Sequence, residues 1–414
     1  MSLSKILLIT KLKTTNIGNQ ALSDEVIKLY ERTPENLHVA GRPEGLFGFS
    51  IEKLKKSEDA LRTFEAWATS IVDILKPSMH TVVFVPVTRK VELLSFNDFK
   101  VRNDKWYQRI KDVFRKYVHS DALFAKAYKK RFLTVAAADS IVYSGAGEVG
   151  DNNIFLRQLL ELRIAQKIGK KTYAINQSVE VVESPMRQIC GFVYKQLDEI
   201  IVRGHMSRDN LVSLGVPLAR IKCFPDSAFL NQTPSLEARE ALRNRYNILK
   251  PAVGINATKV ADDINAWEEI IKLLKKLGYN LYFISNDPVS DKVLGEHFAA
   301  RHGLIPILEF INYPEYSALL SNFSFVISCR LHTNELALTG STPVIPIEGR
   351  HFKTKEVFNL VNYPIPVTNT GSSNWPDEIK QQIETLHSKN NDVNHFIQDL
   401  DSIRKLSLEN CFDS

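Results

Sequence analysis

Short runs that are apolar at nearly every residue recur along this chain, separated by amphipathic stretches of helical length, and no other feature limits its fold as much. A run with no polar alternation is buried on both faces, which in a sheet means parallel strands covered by helices. The first half of the chain predicts strands at Ile6–Thr10, Leu37–Ala40, Thr81–Val85, Ser140–Ser144, Lys171–Ile175, Glu199–Val202 and Ile221–Phe224. A polar, mostly helical stretch, Asn231–Lys250, leads into a second series at Ala252–Asn256, Asn280–Ser285, Leu304–Leu308, Phe323–Ser328 and Pro343–Ile347. Helices fit between them, for example Ala266–Leu277, Pro314–Ser321 and Thr333–Leu338. With 414 residues, one hydrophobic core is not expected to serve the whole chain. The expected architecture is α/β, two doubly wound, Rossmann-like domains facing a cleft. The first spans 1–235, with a basic helical insertion at about 98–131, and the second spans 250–365. A helical tail at 376–411 packs back on the first domain.

Composition excludes several classes. The chain is 44% apolar and 24% charged, which is ordinary for a globular protein and excludes disorder as its main state. A net charge of +6 suits an enzyme handling small anions, but falls short of the concentrated excess of a nucleic-acid binder. Cys190, Cys223, Cys329 and Cys411 are scattered, with neither zinc spacing nor a disulfide framework, so no metal and a reduced, cytoplasmic setting are expected. The apolar run at Ile6–Ile9 is too short for a signal-peptide core and reads as a first strand. No run approaches the roughly 20 residues of a membrane span, so any membrane contact is peripheral.

In an open parallel sheet, ligands bind beyond the carboxyl ends of the strands, which makes strand-end motifs the functional candidates. The most informative is FSFVISCRLHTNE, residues 323–335. Arg330 and His332 follow an apolar strand two residues apart, so in extended backbone they would share a face. A helix opening near Thr333, with Asn334 next, would aim free N–H groups at an anion there, and a guanidinium grips phosphate or carboxylate through two bonds. The plain alternative is a structural turn with Arg330 in a salt bridge. A small-residue loop, Ser144 to Asp151, follows the fourth predicted strand, and Gly145 and Gly147 would let backbone approach a ligand. A turn containing Asn16, Gly18 and Asn19 follows the first strand, with a helix beginning near Ala21. In VRGHMS, Arg203 stands at a strand end before a helix carrying Ser207, where a salt bridge and an anion contact are equally good readings.

Taken in order, NIGNQAL, SGAGEVGD, AINQSVEVV, VRGHMSRDNLVSLGV, PDSAF and VISCRLHTNELALTGSTPVI resemble the polysaccharide pyruvyl transferase family over residues 6 to about 360. That resemblance implies a fold like the GT-B glycosyltransferases. It also implies transfer of the enolpyruvyl unit of phosphoenolpyruvate to two hydroxyls of a sugar, in a polysaccharide or its lipid-linked precursor, giving a pyruvyl ketal and phosphate. His332 would protonate C3 of the donor, and Arg330 and Arg203 would hold its anionic groups, with Lys353 or Lys355 as helpers. Asn16, Gly18, Asn19, Gly145, Gly147, Asp151, Ser207, Thr333 and Asn334 would line the substrates, and neither metal nor organic cofactor is required. Three places depart from the family pattern, and in the first the usual glycine triplet reads Gly145-Ala146-Gly147. Asn19 stands where an acid is usual, which removes a carboxylate candidate for general base, and Ile175–Ser178 lacks the usual glycines. The rival readings are an inverting glycosyltransferase using a nucleotide sugar and a non-catalytic anion-binding relative. Retaining transfer is disfavoured, because Glu335 lacks a glutamate eight residues before it, and Glu348 and Glu356, which have that spacing, follow the Pro343–Val344 element.

One segment stands apart. Between Lys100 and Arg131 lie eleven Lys/Arg and three acidic residues, with Trp106, Ile110, Val113, Phe114 and Tyr117 at helical spacing. Packing on the first domain is one reading, and contact with anionic lipid or a lipid-pyrophosphate substrate is the other. On the second reading, the protein cosediments with vesicles only when these contain anionic lipid, and less so as salt rises. Equal sedimentation with neutral vesicles leaves the packed helix.

Overall fold

The computed structural model describes residues 4–31, 34–43, 48–95, 128–145, 149–258, 264–349, 351–372, 374–388 and 390–412. Two six-stranded sheets, parallel throughout, organise them. In spatial order the first contains Ile221–Cys223, Glu199–Val202, Lys171–Gln177, Ser140–Ser144, Ile6–Thr10 and Leu37–Gly41. The second contains Ile305–Ile307, Asn280–Ile284, Ala252–Asn256, Phe325–Ser328, Val344–Glu348 and Thr368–Asn369. Strand residues alternate between two cores, as the pleat requires. Leu7, Ile9, Ile141, Tyr143 and Ile200 pack on one side of the first sheet, and Leu8, Val142, Ile175 and Ile201 on the other.

Chain order reverses between Ile6–Thr10 and Ser140–Ser144 in the first sheet, and between Ala252–Asn256 and Phe325–Ser328 in the second. Such switch points open a crevice at the strands' carboxyl ends. Helix Ile17–Tyr30, which follows the first strand, leans across the divide. Ile17 and Ala21, with Ala228 and Phe229, belong to the apolar core of the second sheet. Ile17 N–H donates to Asn286 O at 2.9 Å. The Tyr313 hydroxyl donates to Glu25 Oε1 at 2.6 Å and accepts from Lys28 Nζ at 2.7 Å. The two domains therefore meet through packed apolar surface as well as polar contacts.

The tail serves both domains. Trp375, Ile379, Ile383 and Leu386 of helix Trp375–Ser388 enter the second core, with Trp375 edge-on to Trp267 at 5.5 Å. Beyond it the chain returns to the first domain: Arg404 Nη2 donates to Asn231 O at 3.2 Å, Asn410 Nδ2 to Pro225 O at 2.7 Å, and Phe412 stacks on Tyr173 at 4.4 Å.

Three local expectations fail. Thr81–Val85 is not a strand: Pro86 lacks an N–H, Val83 and Val85 are 78% and 58% exposed, and only Val87 bridges to His38. The first helix starts at Ile17 rather than near Ala21, because the Asn16 side chain caps it by accepting Asn19 N–H at 2.9 Å. The helix expected from Thr333 starts at Leu331, with Arg330 as its N-cap. Of the basic segment, 98–127 lies outside the described residues, and Arg131 is on helix Lys129–Ala137, paired with buried Glu161. Among the described residues no helix is long and apolar enough to cross a membrane.

Candidate functional site

Strand Glu199–Val202 ends at Arg203, whose side chain is 1% exposed. A guanidinium so deep requires a counter-charge and acceptors for its N–H groups. Nη1 donates to Asp226 Oδ2 at 2.5 Å, while Nε and Nη2 donate to Ser178 Oγ at 3.0 and 2.8 Å. Asp226, fully buried, also accepts Ala228 N–H at 2.9 Å. Burial alone would raise the Asp226 carboxyl, but the Arg203 charge, His332 and the Ala228 N–H outweigh it and hold the carboxyl well below the usual carboxylate range. Asp226 is therefore an anion at the interface. Asn176 supports this turn: its φ is 53°, a left-handed conformation that asparagine tolerates. Its side chain exchanges hydrogen bonds at 3.1 Å with Ser227. An asparagine thus does here what the glycines missing from Ile175–Ser178 would do.

The second domain supplies the imidazole. On helix Leu331–Thr339, His332 reaches toward Asp226, with Nε2 3.7 Å from Oδ2 and the side chain 13% exposed. One turn on, Glu335 is completely buried, its Oε2 4.0 Å from the same nitrogen. Burial, then the Asp226 charge, raise the Glu335 carboxyl well above its usual range, against the pull of Arg203. Gly18 forms the opposite wall. A methyl group placed there would stand 2.2 Å from His332 Cβ and 2.5 Å from Nδ1, so only glycine lets the helix pass the ring.

Beside this cluster, Glu356 of helix Lys353–Leu360 crosses to the first domain. Its carboxyl accepts from Ser178 Oγ, from Ser207 Oγ at 2.7 Å and from Ser207 N–H at 3.1 Å, at the N-terminus of helix His205–Ser213. Ser207 Oγ also accepts Val179 N–H at 2.9 Å. Lys353 is half-buried in the same region, and burial, then Arg203, push its amine down to about 8. The start of its helix is fixed by Glu348, which accepts Thr354 N–H at 3.2 Å and Lys355 N–H at 3.0 Å. Burial raises the Glu348 carboxyl to about 7 despite those two bonds.

The remaining candidates divide. Arg330 does not share a face with His332. As N-cap it turns to Asp291, with Nη2 2.8 Å from Oδ1, and to Ser290 Oγ at 3.1 Å. Asp291 in turn accepts Ser285 Oγ and the N–H groups of Asn286 and Asp287. With 29% of its side chain exposed, Arg330 keeps an open flank. Thr333 and Asn334 are buried, the first beside the Tyr316 hydroxyl at 3.3 Å and the second donating to Ser328 O at 3.1 Å. Asp151 accepts the N–H groups of Val182 and Glu183, which ties down a loop. Gly145 N–H bonds Ile175 O at 2.9 Å, and Gly147 lies outside the described residues. Asn16 and Asn19 form the first helix cap, and the Lys355 side chain is exposed. Asp226, Glu335, Ser178 and Glu356 were not among the site candidates, although Asp226 lies in PDSAF and Glu335 and Glu356 were weighed only for retaining transfer. Glu335 also shares the face of His332 three residues on.

Asp226, His332 and Glu335 are also the group, among the described residues, whose ligand atoms all lie within 4.8 Å of one another. A divalent cation fits them poorly, because the Asp226 oxygen nearest His332 already holds the Arg203 guanidinium.

Two parallel-sheet domains with facing switch points and a polar cluster between them define the GT-B-like class. Solved structures similar to this chain agree, at identities that speak to fold alone. They include Anabaena Alr3699/HepE in complex with UDP (12% identity, TM-score 0.56, covering 98% of this chain and 95% of that one). Others are S. aureus MnaA with UDP (13%, 0.53, 95% and 91%) and a glycosyltransferase from Rickettsia africae (11%, 0.52, 99% and 94%). No curated protein sequence matches. The family model for polysaccharide pyruvyl transferase matches residues 72–351, more than half of the chain, and the protein belongs to that family.

Two outcomes follow from the geometry. Gly18→Ala must displace His332 and the start of its helix, so turnover should fall by ~10²-fold or more and the melting temperature should fall as well; undiminished turnover would separate Gly18 from the site. Glu348, raised from 4.5 to about 7, is still protonated when its unfolded counterpart has ionised. Its contribution to stability is greatest below pH 4.5 and is lost as pH rises to about 7, by roughly 2–3 kcal/mol. Glu348→Gln should flatten that part of the stability–pH curve measured by denaturant titration.

Proposed function

We propose that this enzyme transfers the enolpyruvyl unit of phosphoenolpyruvate onto two hydroxyls of a saccharide, free in a polysaccharide or carried on its precursor, forming a cyclic pyruvyl ketal. The observation that carries this reading is the placement of His332 against ionised Asp226 at the meeting of the two domains, in a chain of the pyruvyl transferase family. Asp226 faces Nε2 and orients the ring, and Nδ1 lies on the Gly18 side.

The chemistry balances without a further reactant. The imidazolium gives its proton to C3 of the enol, the double-bond electrons form the new C–H bond, and C2 becomes electrophilic. The first sugar hydroxyl adds to C2 and its proton returns to the imidazole. The second hydroxyl then adds as the C2–O bond to phosphorus breaks, and its proton leaves with phosphate. Arg330, held by Asp291, offers its open flank to the donor's carboxylate or phosphate. Asn19 supplies no carboxylate, so phosphate itself serves as the base for the second hydroxyl.

Phosphate release should require both phosphoenolpyruvate and a saccharide acceptor. His332→Gln should lower kcat by ~10²–10⁴-fold, whereas Arg330→Ala should also raise KM for the donor. A folded His332→Gln enzyme of wild-type turnover would end the general-acid role. Release of a nucleoside diphosphate from a nucleotide sugar, without use of phosphoenolpyruvate, would instead favour inverting glycosyl transfer.

A further inference from the structure

The four-group cluster at the domain interface contains one member with no explained purpose. Neither carboxyl oxygen of Glu335 has a hydrogen-bond partner, and His332 Nε2 has none either, although all three atoms are buried. Unsatisfied buried oxygens of this kind are uncommon in folded proteins and call for an account. Two carboxyl groups, Asp226 and Glu335, face a single guanidinium, and Arg203 bonds Asp226 alone. A carboxylate sealed from water with no N–H or O–H directed at it would be prohibitively costly. A carboxylic acid would not, because it is neutral and carries its own donor, which can turn toward the Asp226 carboxylate within 4.8 Å of it.

We propose that Glu335 is a positioning residue for His332, a sealed carboxylic acid packed one helical turn from the ring whose O–H turns toward the same Asp226 carboxylate that the imidazole faces, and so fixes the ring for proton transfer. The raised titration of its carboxyl agrees with this. The charged groups facing it are Asp226 and Arg203 of the first domain and, when protonated, His332 of its own helix. Helix Ile17–Tyr30 presents Gly18 at this contact, and helix Tyr313–Leu320 presents Tyr316, whose hydroxyl is beside Thr333. The acid form has a purpose: a second carboxylate here would hold the imidazolium proton more tightly and make it a poorer donor.

The inference rests on His332 as proton donor, so its test includes readouts independent of turnover. Using the full chain, Glu335→Gln, Glu335→Leu, His332→Gln and the double variant Glu335→Leu/His332→Gln are compared by denaturant midpoint from pH 4 to 8, and the Glu335 variants by kcat and KM. Glutamine mimics the neutral acid. Glu335→Gln should therefore match wild type in stability near pH 4 and exceed it increasingly as pH rises, because only the wild-type unfolded chain gains by ionising. Stability falling below wild type with rising pH would mean a paired, ionised Glu335 and would overturn the proposal. Glu335→Leu should lower kcat ~10–100-fold at unchanged KM, with glutamine recovering most of that loss. The Leu and His332→Gln stability effects should be non-additive, as for groups in contact. Additive effects, or a Leu variant of wild-type kcat, would reduce Glu335 to a filler. Stoichiometric zinc or manganese in the purified wild-type protein, absent from Glu335→Gln, would replace the proposal with a metal site. If His332→Gln keeps full turnover, the general-acid reading fails, while the pH trend and the double-variant cycle still report on Glu335 itself.

Discussion

Taking a guanidinium and a carboxylate out of water together is tolerable only if nearly every donor and acceptor on them is used, and the Arg203–Asp226 pair meets that condition at the join between the two domains. Ser178 takes the guanidinium edge that Asp226 does not, and Ala228 N–H takes the second carboxylate oxygen. Removing one partner of such a pair typically costs about 3–5 kcal/mol, because the other charge is left stranded. Neighbouring groups owe their state to it. Asp226 is ionised because of Arg203, and with that charge settled on Asp226 there is no cation to ionise Glu335.

The pair belongs to one sheet and the imidazole to the other, so the proposed reaction centre exists only where the domains touch. What holds them is largely apolar. Ile17, Ala21, Ala228 and Phe229 leave the first domain's chain to complete the second domain's core. Glu356 adds a polar contact in the opposite direction, reaching from the second domain to Ser178 and Ser207. The resulting contact is close enough that a single methyl group at Gly18 would collide with His332.

Nearly all the sheet strands could be read from apolar runs, since parallel strands buried on both faces leave a signal that needs no partner to interpret. Thr81–Val85 shows the limit of that signal: it is apolar and β-branched, yet Pro86 breaks its ladder. Motif order along the chain was enough to bring His332, Arg203 and Gly18 forward. It misjudged Arg330, because residues two apart share a face only in extended backbone, and the helix begins one residue after it. Ser178 and Glu356 carry no local pattern, being 178 residues apart in the chain and hydrogen-bonded in the fold.

By itself the sequence determined two α/β domains, the strand ends at which chemistry would gather, and membership of an ordered set of motifs, because each is set by local periodicity or by residue order. Which charges meet was decided only by tertiary structure. Arg203 could equally have faced a ligand or an acid, and burial beside Asp226 settled it. Glu335 looked like any helical glutamate until packing sealed it next to His332 and Asp226. Ionisation states depend on solvent exclusion and on neighbours supplied by distant segments, and neither can be read from residues taken in order.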